Sequence, residues 1–187
     1  MKKEPQEINP YIEPLKPIKP MSNRISTHIS YHEATRSDTA IRKGLPNVPG
    51  EQQIKNIKLW ATEVFEPLRE HVSTKRGKDS PIHINSIFRA VAVNTAVGGS
   101  KTSQHCAGEG SKLEEAAGDI ETNYTDFTNK DLFLLIKDQG VFDQLIWEFG
   151  DNKDPAWVHV SYRKGANRKQ VLKAVSQNGH TKYLPFA

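Results

Sequence analysis

The chain has one cysteine, Cys106, in 187 residues. No internal disulfide can form, so the fold cannot rest on a cross-linked framework. Long apolar runs are also missing. None approaches the roughly 20 residues that a membrane-spanning helix needs, so no spanning segment is expected and a membrane is not read as a partner. The opening residues, MKKEPQEINPYIEP, carry charge but no apolar segment. No secretory signal is therefore expected, and the protein is read as kept in a cytoplasm or released by a route that needs no signal. Aromatic residues are sparse, and the basic residues form no stripe with aromatics between them. That argues against a nucleic-acid binder. Internal repeats are absent.

What is present fits a soluble domain with an appendage. Hydrophobic residues make up 36% of the chain and the mean hydropathy is -0.65. The length suits one domain with a core of moderate size. The net charge of +4 favours an anionic partner, and an anionic cell wall accounts for it as well as a nucleic acid would.

Composition divides the chain near residue 24. Residues 1–24 hold Pro5, Pro10, Pro14, Pro17 and Pro20. The run PLKPIKP favours polyproline II, either as a disordered tail or as an arm that docks on a protein partner. Residues 25–187 form the folded domain. ISYHEATRSDTAIRKGLPNVP predicts one or two short helices ending at Gly44 and Pro46. Ile54, Ile57, Ala61, Val64, Leu68 and Val72 step by 3 and 4, which predicts an amphipathic helix from about 50 to 71, with Pro67 bending its last turns. IHINSIF reads as a strand and RAVAVNTAV as a short helix. TNKDLFLLIKDQG reads as a helix with Thr128 as N-cap, Asp131 at N3 and Gly140 as stop. DQLIWEF with WVHVSY, and QVLKAVS with HTKYLPF, read as two hairpins. Helices first and strands late point to an α+β fold, an antiparallel sheet with helices packed on it.

Seven histidines are available for chemistry. His28, His32, His71 and His180 sit among polar residues and suit surface or capping roles, and alternation turns His83 to solvent. His105 lies in a glycine-bounded loop. His159 lies on a strand, where it shares a face with Trp157 and Ser161.

Around His105 the sequence reads SQHCAGEGSKLEEAAGDIE. Without residues 110–116 it fits Ser-x-His-x-x-Gly-x-Ala-x-Asp, with Ser103, His105, Gly108, Ala117 and Asp119 in place. This pattern resembles the zinc D-Ala-D-Ala carboxypeptidases and phage endolysin L-alanyl-D-glutamate peptidases, whose core is related to hedgehog domains. INSIFRAVAVNTAVGGSKTSQH is similar to the family's arginine strand, Asn helix and Gly-Gly turn. FDQLIWEFG and WVHVSY are similar to its closing hairpin. EATRSDTAIRKG is similar to the leading segment of bacterial and phage members, so the resemblance extends over about residues 26–186.

The resemblance implies zinc held by His105, Asp119 and His159 with one position left for water, the donor set of a catalytic site. It places Arg89 on a substrate carboxylate or a developing oxyanion, with Ser103 and Gln104 beside the substrate. A general base is also needed. Many family members place an acid where this chain has Ala156, so Glu148 on the partner strand is the candidate and Asp154 the second choice. The run 110–116 departs from the pattern. Ser111 and Glu114 suggest a capping box and one or two helical turns, which leave Asp119 in place, disrupt the loop, or bring Glu114 or Glu115 to the metal instead. Cys106 beside His105 reads as a small buried thiol rather than a ligand.

The implied function is zinc-dependent cleavage of peptidoglycan stem peptides by a phage or prophage enzyme that reaches the cell wall after release or inside the particle. The alternative is a virion-associated binding protein that keeps the fold with an impaired metal site. In either case the proline-rich arm suits a virion component as partner.

Overall fold

The computed structural model describes residues 23–186. All of the proline-rich arm except residues 23 and 24 lies outside them.

Two short helices come first, α1 (Tyr31–Thr35) and α2 (Asp38–Lys43). Ser30 and Glu33 close α1 with a reciprocal capping box, and Gly44 ends α2 in the left-handed conformation, as expected. A longer helical run follows as α3 (Glu51–Trp60), a π-helical turn (Ala61–Phe65) and α4 (Glu66–Arg76). It outruns the predicted end at 71. Pro67 has no N–H, and its ring crowds the carbonyl four residues back. The helix widens just before it, and the Glu66 N–H reaches the Ala61 carbonyl instead.

The remaining elements are β1 (His83–Ser86), α5 (Val91–Ala96), a 3₁₀ turn (Gln104–Cys106), β2 (Glu115–Glu121), α6 (Asn129–Gln139), β3 (Gln144–Glu148), β4 (Trp157–Arg163), β5 (Gln170–Gln177) and β6 (His180–Pro185). Thr128 and Asp131 form the capping box of α6, and Gly140 ends it. The six strands make one sheet in the order β1-β2-β4-β3-β5-β6.

The sheet is not wholly antiparallel, because β5 runs parallel to β3. After β4 the chain crosses the start of β3 and returns along its free edge, so it runs in the same direction as β3. Asp143 pins this crossover. Its carboxylate is fully buried and accepts from the Arg168 backbone N–H at 2.8 Å and from the Arg168 guanidinium at 2.6 Å.

Strand alternation gives the sheet two different faces. Gly118, Ile120, Leu145, Trp147, Val158 and Val160 face the helices and are buried. Against them pack Ile57, Trp60, Phe65 and Leu68 of the long helical run and Leu132, Phe133 and Ile136 of α6. Trp60 fixes the contact by donating its indole N–H to the Val160 carbonyl at 3.0 Å. Gly118 permits it, since a Cβ there would meet the Trp60 ring at 2.4 Å. The opposite face carries Asp119, Glu148 and His159.

Candidate metal centre

On that opposite face, Asp119 of β2 pairs directly with His159 of β4, and His159 pairs with Ile146 of β3. His105 comes from the 3₁₀ turn laid over the sheet. Its backbone carbonyl accepts from the Arg89 N–H at 3.0 Å, which ties the turn to the segment between β1 and α5. The ring nitrogen Nδ1 of His105 lies 2.7 Å from the Ile87 carbonyl. A carbonyl can only accept, so Nδ1 carries the proton and Nε2 presents a lone pair.

That lone pair points at the other two residues. His105 Nε2 is 3.2 Å from Asp119 Oδ1 and 3.2 Å from His159 Nδ1, and the latter two atoms are 2.9 Å apart. Three donors at about 2.0–2.1 Å from one ion with tetrahedral angles stand about 3.3–3.4 Å apart, so this triangle is close to what zinc requires. The three form the metal-competent group of His, Cys, Asp and Glu found among the described residues. Burial pushes the His105 imidazole below its ordinary value. Burial alone would raise the Asp119 carboxyl, but its close contacts with His105 and His159 outweigh it and hold the group below the ordinary carboxylate range. A neutral imidazole and an ionised carboxylate are the forms in which these side chains bind a metal.

Arg89 reaches the same group by donating from Nη2 to Asp119 Oδ2 at 3.0 Å. The ion pair holds the carboxylate so that Oδ1 faces the histidines, an outer-shell role common at metal sites. Nε of Arg89 is buried with no hydrogen-bond partner.

The cluster sits in an open cleft of about 1130 Å³ that Arg89, Ser103, Gln104 and Glu148 also line. Glu148 lies opposite Trp157, two residues along from the rung of His159, and therefore on the metal-facing side. It is only 6% exposed. Burial pushes its carboxyl up to about 7; the charge of Asp119 adds to this, while His159 and Arg89 oppose it.

Other expectations change. Asp154 is turned away from the cleft, and its Oδ1 accepts the Lys130 N–H at 2.6 Å at the start of α6. Gln104 lines the cleft, but its amide nitrogen is committed to Glu115 at 3.1 Å and Asp143 at 2.9 Å, a buried structural network rather than a free substrate donor. The run 110–116 forms no helix. Residues 108–114 make a turn, and Glu115 and Ala116 are the first two residues of β2, paired with Arg163 and Tyr162. The extra residues thus lengthen the strand that delivers Asp119 and do not split the site. Glu114 pairs with Lys164 and Glu115 with Arg163, so neither approaches the metal group. Cys106 is a buried free thiol outside the triangle. His28, His32, His71, His83 and His180 are exposed, with His180 on the rim of the cleft.

Sequence reading missed the residue that anchors the metal loop. Asn56 on α3 is buried and donates to the carbonyls of Ala107 at 2.9 Å and Leu113 at 3.1 Å. Gly108 has φ +74, and a Cβ there would meet the Leu113 carbonyl at 2.4 Å. The available signal was a lone Asn beside the apolar stripe of a helix.

The family model described as Peptidase M15 matches residues 27–161, which stops short of the last two strands. No curated protein matches the chain.

Proposed function

The chain belongs to the peptidase M15 family, a family of zinc-dependent peptidases, and on that premise we propose that it cleaves the stem peptides of peptidoglycan. The observation that carries this reading is the convergence of His105, Asp119 and His159 on one point at the floor of an open cleft. Those three residues would hold zinc, which when bound would supply a Lewis acid and lower the pKa of bound water to about 7.

The remaining groups have separable tasks. Glu148 accepts a proton from the attacking water at its carboxylate and returns it to the leaving amine. In the metal-free site burial raises this carboxyl to about 7, and a cation bound beside it would favour the ionised form that accepts the proton. It does from β3 what an acid at position 156 does elsewhere in the family. Arg89, anchored by Asp119, directs its remaining N–H groups to the carbonyl oxygen as negative charge develops there. Ser103 contacts the substrate at the edge of the cleft. The net charge of +4 draws the protein to an anionic cell wall, which suits a lytic enzyme of a phage or prophage.

Digestion of purified peptidoglycan followed by mass analysis of the fragments tests the reading. The expected result is release of peptide fragments with new amine termini, abolished by a chelator and by His159→Ala. A new D-Glu terminus would assign the L-Ala–D-Glu bond, and free D-Ala the carboxypeptidase reaction. Intact stem peptides after treatment with zinc-loaded protein would refute it.

A further inference from the structure

The hairpin of β5 and β6 lies beyond residues 27–161, the span that the family model matches. It nevertheless builds one wall of the metal cleft, through Leu172, Thr181 and Tyr183. The strand register explains how. Trp157 pairs with Glu148, Glu148 with Ala174, and Ala174 with Tyr183. Directly paired residues point to the same side of a sheet. One rung across four strands therefore sets Trp157, Glu148, Ala174 and Tyr183 on the face that carries His159. The neighbouring rung is Asp119, His159, Ile146 and Leu172.

Within this rung Ala174 is the low point. It is fully buried and carries only a methyl group, so no side chain stands between Glu148 and Tyr183. Trp157, packed on Phe149 with ring centroids 5.4 Å apart, rises on the other side of Glu148. The two aromatic residues flank the carboxylate, over an apolar floor of Ile146 and Leu172.

Tyr183 keeps 52% of its surface exposed, although it is a large aromatic residue. Its hydroxyl is nevertheless in the field of the site: burial pushes the phenol up, and the charges of Glu148 and Asp119 push it further. A half-exposed ring on the wall of the cleft, in the rung that carries Glu148, is arranged for a ligand rather than for the core.

We infer that Tyr183 is a substrate-contacting residue of this cleft, whose ring packs on a peptide seated over Ile146 and Leu172 and whose hydroxyl donates a hydrogen bond to that peptide. The inference rests on the peptidase reading and adds a specificity-determining wall to it.

Binding separates the two. The full-length, zinc-loaded Glu148→Gln protein is titrated calorimetrically with a purified stem peptide, alone and combined with Tyr183→Phe or Tyr183→Ala. Loss of one neutral hydrogen bond should weaken binding about threefold to tenfold in the Phe variant, and loss of the ring's contact area about tenfold or more in the Ala variant. All three proteins should hold one zinc and melt alike, because Tyr183 is half-exposed on an edge strand. Equal affinity in all three overturns the inference, and if the wild-type enzyme still digests peptidoglycan, the peptidase reading survives. No binding by the Glu148→Gln parent, together with no fragments released by the wild type, sinks both.

Discussion

Glu148→Gln should stabilise the metal-free protein, by an amount that depends on pH. The carboxyl is 6% exposed and is pushed up to about 7 from an ordinary 4.5. Between these values the unfolded chain gives up the proton and the folded chain keeps it. The unfolded state then binds fewer protons, so stability falls as pH rises through this window. At 1.36 kcal/mol per tenfold, the gap from 4.5 to about 7 amounts to about 3 kcal/mol, a cost fully present above pH 7 and absent below pH 4.5. Glutamine has the same shape and no charge to bury. Asp119 and His105 titrate in both proteins, so their contributions largely cancel in the difference. The assay is urea denaturation of both proteins in the presence of a chelator, from pH 4.5 to 8. The stability difference should grow by about 3 kcal/mol in favour of Glu148→Gln over that range. Zinc should shrink it, since a nearby cation favours the ionised carboxylate. A difference that stays constant with pH would refute the placement of Glu148 in a desolvated position beside the metal group. The same substitution should lower the rate of peptide cleavage by about 10²-fold or more, as expected for loss of a general base.

Other outcomes follow from the same geometry. Wild-type protein should bind one zinc per chain by elemental analysis and melt at a higher temperature with zinc present; His105→Ala, Asp119→Asn and His159→Ala should each lose both effects. Asn56→Ala leaves the Ala107 and Leu113 carbonyls without their donor, so it should cost about 1–3 kcal/mol in chemical denaturation and weaken zinc in competition with a chromophoric chelator. Gly118→Ala sets a methyl group against the Trp60 ring and should destabilise the protein by about 1–3 kcal/mol, with a shift in tryptophan fluorescence. Unchanged zinc affinity in Asn56→Ala would show that the loop holds its shape without α3.

Much of the architecture was legible because it is local. The capping box of α6, the glycine stops after α2 and α6, and the apolar stripe of the long helical run are set by neighbours three or four residues apart. The β5–β6 hairpin was legible from Asn178 and Gly179, both of which adopt the positive φ that its tight turn needs. Where short-range signals competed, the sequence misled. Ser111 and Glu114 read as a capping box, yet Glu115 and Ala116 find partners on β4, and that pairing prevails.

His105, Asp119 and His159 could be named from residue type and family pattern, since side chains able to bind a metal are chemically distinctive. Whether they meet was a matter of register, because one residue of slip turns every side chain of a strand to the other face. Glu148 and Asp154 were set apart in the same way: Glu148 opposite Trp157 faces the cleft, and Asp154 is drawn to the start of α6. The parallel placement of β5, the pairing of buried Asp143 with Arg168 that holds its crossover and the approach of Tyr183 to the cleft join residues far apart in the chain. By itself the sequence determined most of the helices, the capping box of α6 and which residue types could bind a metal, since those depend on near neighbours and residue type. Only the tertiary structure decided which carboxylates share a face with the two histidines and what walls their cleft, because both follow from strand pairings that no short stretch encodes.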